Sequence, residues 1–254
     1  MSFTLEHKIK QLIKKLHITI LWIVIWQFLS FIIRQEILFP SPYKVLNSFI
    51  ILLQDPTLLR DISHSLVNIL GGVSTSIILA VLLSLLALKY DYFRSFISPL
   101  FSFIKSVPIA SFILMAFLLF GSQGLSSFIC FLIAIPILYT NILEGFHSVP
   151  VSMMEAARVY NMPESLKLRY IYLPHAVPFF LSGCKVAIGL AWKSGVAAEV
   201  IGLARYSLGE RLYNAKLFLD TSQVFAITIV IILLSWLTEK CLMFCLSKLC
   251  NYFV

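Results

Sequence analysis

LVNILGGVSTSIILAVLLSLLAL, Leu66 to Leu88, contains no charged side chain. As a helix rising 1.5 Å per residue, a run of this length covers the roughly 30 Å of hydrocarbon in a bilayer and satisfies its backbone hydrogen bonds within itself. Outward from this stretch the same pattern recurs. Of the 254 residues 59% are hydrophobic and 13% charged, 21 are phenylalanine, and the mean hydropathy is +0.92. Water cannot solvate a folded domain of that composition, so the chain belongs in a membrane. Strand-like alternation is absent, which sets aside a barrel. The fold class predicted is all-α: a polytopic membrane protein.

Six spans are predicted, at about His17–Ile33, Leu66–Leu88, Lys105–Phe120, Leu125–Leu143, Ala176–Val200 and Ser222–Leu246. The third is the shortest, with Pro108 near its start, and reads as short or partly re-entrant. The first follows Lys8, Lys10, Lys14 and Lys15 and runs into Arg34, Gln35 and Glu36 with no small-residue cleavage site, so it reads as an uncleaved span. No linker or shift of composition divides residues 1–254, which read as a single transmembrane domain.

The net charge of +8 reflects topology. Lysines and arginines are scattered between apolar runs, unlike a nucleic-acid face. With both termini in the cytoplasm, twelve lie inside and six outside (Arg34, Lys44, Arg60, Arg205, Arg211 and Lys216), the bias that sets orientation. Five cysteines sit in or beside apolar runs without a CxxC pair and read as small apolar fillers. The histidines are dispersed, and no metal site is predicted. No GxxxxGK[ST] phosphate loop or catalytic constellation occurs, so the chain reads as neither an ATPase nor another enzyme and binds no cofactor.

The longest internal polar segment, SVPVSMMEAARVYNMPESLKLRYIYLP, runs from Ser148 to Pro174. Ser152 and Glu155 have capping-box spacing, Asn161 suits a left-handed helix end, and Pro163 suits the first turn of a second helix. Leu173-Pro174 closes the loop. Ala156, Ala157, Val159, Tyr160, Met162, Leu166 and Leu168 place apolar surface where water is expected, and that implies a partner.

Glu155-Ala156-Ala157, then position 161, then Ile171-x-Leu173-Pro174 resembles the EAA signature of binding-protein-dependent importer permeases, with asparagine at 161 where that family usually has glycine. The likeness covers about residues 60–245. It implies the six-helix permease fold and makes 148–174 the coupling loop, whose helix seats on a separate cytoplasmic ATPase pair that uses the ATP. Ser152, Glu155, Ala156, Ala157, Asn161, Pro163, Ile171, Leu173 and Pro174 would form that coupling element. It further implies a second copy of the chain, since six spans are half of the usual twelve, an extracytoplasmic solute-binding protein, and residence in a bacterial inner membrane. Gly189-Leu190-Ala191-Trp192 with Val196, Ala198 and Glu199 looks like the nitrate, sulfonate and taurine branch, although Lys193-Ser194-Gly195 stands where aliphatic residues are usual there. Substrates open on this reading are a small anion, such as nitrate, taurine or an alkylsulfonate, and a vitamin precursor such as a pyrimidine. The rival reading is a multispan membrane enzyme or an assembly scaffold that uses the loop to hold a partner.

In the fifth span Gly183, Ala187, Ala191 and Gly195 recur every four residues and predict a ridge for close helix packing. Lys185, Trp192 and Glu199 recur every seven. Charges here avoid lipid. Lys193 with Trp192 and Glu199 is expected to line the translocation path, or Lys193 pairs internally with a carboxylate such as Glu199 while Lys185 reaches for the interface. After this span, Ser207–Tyr213 reads as an external turn leading into a short amphipathic helix.

Overall fold

A computed structural model describes residues 2–35 and 37–250. Glu36, after the first span, lies outside the described residues, as do the side chains of Lys8, Lys10 and Lys15. The described residues are helical with no strand. Helices α1 (Ser2–Ile33), α3 (Leu58–Lys89), α6 (Leu125–His147), α9 (Leu173–Gly202) and α11 (Thr221–Cys250) each contain a segment long and apolar enough to cross a membrane. A bent pair, α4 (Asp91–Ser106) and α5 (Ile109–Phe120), makes a sixth if counted as one span.

That pair corrects the third predicted span. Lys105 belongs to α4, and the chain turns by 101° at Val107-Pro108 before α5 begins. Pro108 has no N–H to continue α4 and biases Val107 to extended backbone (ψ 135°), so the break falls where proline demands it. Most of the stretch between the predicted second and third spans is therefore helix.

The chain divides into two compact units. One comprises residues 1–58 with 211–230. Here Ser41 caps α2 (Pro42–Leu53) by accepting from the Lys44 amide, with Pro42 in the first turn where its missing N–H costs nothing. Trp26, Phe39 and Phe225 stack with ring centroids 5.7–6.4 Å apart, and the Trp26 indole donates to the Pro40 carbonyl at 3.1 Å. Arg211 donates to Asp55 Oδ2 at 2.8 Å and to the Thr57 hydroxyl at 2.6 Å.

The other unit, residues 59–210 with 231–254, holds the apolar core around α6 and α9. Polar residues of α3 are accommodated inside it because Ser76 and Ser84 donate to carbonyls of their own helix, at 2.7 and 2.6 Å. Glycine brings α3 against α6: a Cβ on Gly72 would fall 2.8 Å from Cys130 Cβ. Beside this contact the Ser127 hydroxyl donates to the Asn68 carbonyl at 2.9 Å.

Candidate functional site: the 148–174 loop and the α9 helix

The loop contains α7 (Val151–Val159), α8 (Glu164–Lys167) and a π-helical turn, Leu168–Tyr172, that runs on into α9. Ser152 is not a cap. Pro150 occupies the N-cap with ψ 137°, and Ser152 and Glu155 are exposed positions within α7 with no capping bond. The rigid φ of Pro150 starts the helix earlier than the serine would, which replaces the expected capping box.

The end of α7 follows the local chemistry. Asn161 has φ 48°, the Met162 amide donates to the Ala157 carbonyl at 2.9 Å, and the Asn161 amide to the Arg158 carbonyl at 3.0 Å. These paired bonds are a Schellman closure, which satisfies carbonyls that a helix end otherwise leaves open. Pro163 (ψ 149°) is the N-cap of α8 instead of a residue within its first turn. A single helical run then extends from Glu164 to Gly202. Leu173 and Pro174, expected to close the loop, lie inside it. Pro174 lacks the N–H that would reach the Tyr170 carbonyl, and the chain accommodates the gap with the π turn immediately before it.

The loop's apolar residues divide by role. Ala157 and Ile171 are buried and line one apolar groove of about 400 Å³ with Met153, Ala156, Met162 and Leu166. Ala157 is thus an internal contact of the loop. Glu155 and Ala156 are exposed, and Tyr160 is 84% and Val159 77% exposed, so α7 presents both charge and apolar surface outward.

On α9 the small residues face other helices. Gly183 lies against Asn141 of α6, where an added Cβ would come 2.9 Å from the asparagine Cβ. At Gly195 an added Cβ would sit 2.7 Å from Cys130 Sγ and 2.9 Å from Ile69 Cγ1. Ala187 and Ala191 are fully buried. The close approach lets α6 donate directly to α9 carbonyls, from Ser126 to Gly195 and from Cys130 to Ala191, each at 3.2 Å.

Trp192, Lys193 and Glu199 do not share one surface. Trp192 is buried and its indole donates to the Thr238 hydroxyl at 2.8 Å. Glu199 is fully buried; its Oε2 accepts from the Ser65 hydroxyl at 2.8 Å and from the Gly209 amide at 3.2 Å. Ser65 in turn accepts from the Leu208 amide at 3.0 Å, so the α3 serine and the α9 carboxylate together hold the start of α10 (Leu208–Leu217). Ser207 caps that helix through the Glu210 amide at 3.0 Å, in agreement with the helix expected after this turn. Lys193 is exposed and has no carboxylate partner among the described residues. The internal Lys193–Glu199 pair is not formed, and Lys185 is exposed with its Nζ 3.9 Å from Glu239.

Sequence reasoning missed Ser65, Thr238 and Gly209. The available signal was Glu199 itself, since a carboxylate in an apolar run must find donors. A polar cavity of about 440 Å³ opens beside this cluster, lined by His64, Asn68, Ser122, Gln123, Arg205 and Tyr206, with no carboxylate in its wall. Among the described residues Arg205 has no carboxylate partner.

A family model for the binding-protein-dependent transport system inner membrane component matches residues 72–242, and the chain belongs to that family. It is similar to a probable ABC transporter permease protein of Brucella melitensis, 30% identical over 81% of this chain and 84% of that one. The taurine transport system permease protein of Escherichia coli is 24% identical over 87% of this chain and 82% of its own length. Among solved structures, an amino acid ABC transporter with histidines covers 78% of this chain and 92% of its own, with a TM-score of 0.57 at 18% identity, a likeness of fold. The chain is a multi-pass inner-membrane permease subunit of an ABC importer, and membership implies ATPase and solute-binding partners.

Proposed function

We propose that α7 is the element through which an ATPase drives this permease, and that the solute it passes is a small anion. The observation that carries the first part is the exposed strip of α7: Glu155, Ala156, Val159 and Tyr160 face outward on a helix whose end is closed by the Asn161 turn. A short helix, closed at its end by the Asn161 turn and presenting Glu155 among apolar residues on its free side, suits insertion into a groove of a partner. In this reading the loop and both termini lie in the cytoplasm, and a second copy of the chain completes the pathway.

Two exposed cations without carboxylate partners among the described residues, Lys193 in α9 and Arg205 at the polar cavity, support an anion over a neutral pyrimidine. Taurine, the solute in the name of one similar permease, is a zwitterion whose anionic end is a sulfonate, a group that such cations attract. Trp192 and Glu199 act in this account by holding helices.

Co-purification with the cognate ATPase tests the coupling. Ala156→Trp and Glu155→Lys change the outward face and should release the ATPase while the permease stays folded in the membrane. Ala156 is the informative alanine, because a bulky group at buried Ala157 disrupts the loop itself. Undiminished association of both variants would overturn the proposal. Competitive uptake of taurine, nitrate and a pyrimidine tests the solute class; uptake of the pyrimidine alone would remove the anion.

A further inference from the structure

The polar cavity of about 440 Å³ beside the Glu199 cluster is assembled from three separate segments: His64 and Asn68 of α3, Ser122 and Gln123 in the turn from α5 to α6, and Arg205 and Tyr206 after α9. Its volume falls in the range of roughly 300–1,000 Å³ typical of sites that enclose small molecules. The 148–174 loop joins the end of α6 to the start of α9, so the cavity sits at the opposite end of both helices from the loop.

The wall is held in shape without a guest. Leu203 (φ 49°) and Tyr206 (φ 59°) both take left-handed backbone, which residues other than glycine adopt only where their surroundings fix it. Here the Ala204 amide donates to the Glu199 carbonyl at 3.1 Å, the Ser207 hydroxyl to the Ala204 carbonyl at 2.6 Å, and the Tyr206 amide to Glu210 Oε2 at 2.6 Å. The Arg60 guanidinium lies 3.9 Å from the centre of the Tyr206 ring. Arg205 is the exposed residue between these fixed points.

The donors left over indicate what the cavity takes. Asn68 Nδ2 lies 3.3 Å from His64 Nδ1, and Asn68 Oδ1 accepts from the Ser127 hydroxyl at 3.3 Å. With the amide nitrogen donating, His64 Nδ1 accepts, and the ring proton sits on Nε2, available to a guest. Asn68 keeps a second amide hydrogen, and Arg205 has a guanidinium fork with no carboxylate partner among the described residues. The nearby acids are engaged elsewhere: Asp61 bonds Arg60 Nε at 3.2 Å, Glu210 holds the Tyr206 amide, and Glu199 is buried in its own cluster. Helix α6 also begins at this wall, with Gly124 as its N-cap and no side chain closing it, which adds the positive end of a helix dipole. A guanidinium fork with imidazole and amide N–H groups, and no carboxylate in the wall, is complementary to an oxyanion.

We propose that this cavity is a receiving site for the oxyanion group of the solute: Arg205 supplies the counter-charge, His64 and Asn68 supply hydrogen bonds, and the Tyr206 ring, backed by Arg60, closes one side. The inference rests on the small-anion reading above and on the loop being cytoplasmic. Together these put the cavity at the outer end of the pathway, where a solute released by its binding protein arrives first. Asn68 has two tasks there, donating to the guest and setting the His64 tautomer.

Saturation-transfer NMR on the purified chain in an uncharged detergent tests it, with methanesulfonate as the anion and dimethyl sulfone as a neutral molecule of similar size. Methanesulfonate should receive transfer and dimethyl sulfone should not. Arg205→Gln should weaken methanesulfonate binding about tenfold, the effect of losing one charge-assisted contact. Asn68→Asp keeps the side-chain shape, sets a carboxylate into the wall and should abolish binding. No transfer to methanesulfonate, equal transfer to both probes, or binding indifferent to both substitutions would overturn the site, and anion uptake by the assembled transporter would then leave the small-anion reading standing. Uptake of the pyrimidine alone would overturn that reading, and the role of this site with it.

Discussion

The carboxylate of Glu199 accepts a hydrogen bond from the hydroxyl of Ser65, 134 positions earlier in the chain, at 2.8 Å. It also accepts from the amide of Gly209, so three separate segments meet at one buried carboxyl group. Removing the carboxylate in Glu199→Ala leaves two buried donors unpaired and should destabilise the folded chain by about 1–3 kcal/mol per donor. Gly209→Ala should be comparably harmful, because its Cβ would fall 2.7 Å from the Val200 amide nitrogen. Thermal unfolding in detergent measures both; unchanged midpoints would show that the cluster contributes nothing.

The left-handed turn at residue 161 makes a prediction of opposite signs. Asn161→Gly retains φ 48° without steric cost and should preserve ATPase association. Asn161→Val places a β-branched side chain in that conformation at a cost of about 1–2 kcal/mol and should open the end of α7. Amide exchange at Asn161 and Met162 reports the opening directly.

Asp55 supplies a pH dependence. The guanidinium of Arg211, then the hydroxyl and amide of Thr57, stabilise its carboxylate and hold its pKa down to about 2. The folded chain therefore favours the ionised form, and the Asp55–Arg211 tie contributes fully above the ordinary carboxylate pKa of about 4. That contribution is lost as pH falls through about 2. Exchange of the amides around residues 54–58 should accelerate over this acidic window and not between pH 5 and 8. Asp55→Asn should remove the acid-dependent step.

At Gly195 the expected effect is steric. Gly195→Ala should cost about 1–3 kcal/mol, since Cys130 and Ile69 already occupy the space of a methyl group. Because the same shift disturbs the bond from Ser126 to the Gly195 carbonyl, separation of α6 from α9 should be visible by cross-linking between the two helices.

Lys193→Met separates transport from assembly. Loss of a charge-assisted contact to a passing anion corresponds to about a tenfold fall in uptake efficiency. Abundance in the membrane and ATPase association should remain unchanged. Uptake kinetics identical to the parent chain would place Lys193 away from the path.

Much of this was legible in the apolar runs and in the 148–174 segment. The spans follow from hydropathy, and the turn at Asn161 from the few residues that tolerate positive φ. Proline was the main source of error. Pro150 displaced the cap assigned to Ser152, Pro108 broke the third span just after Lys105, and Pro174 produced a π turn where the loop was expected to close. Each depends on whether neighbouring contacts favour a break or a continued helix, which local spacing does not encode. Seven-residue spacing aligned Lys185, Trp192 and Glu199 on one helix face, yet the structure exposes the first and buries the other two. Periodicity defines a face and leaves open what covers it at each level. Thr238 and Ser65 are the covering partners, 46 and 134 positions away from the residues they bond.

The helical run from Glu164 to Gly202 has a mechanical consequence. It carries Ile171 of the α7 groove near one end and Glu199 near the other, 28 positions and about 42 Å apart at helical rise. A tilt imposed at the loop therefore travels along one lever to the residue that grips α10, with the π turn at Leu168–Tyr172 as the place where it can flex. Stiffening that turn should tighten the transmission of force from loop to clasp, and loosening it should let one end work without the other.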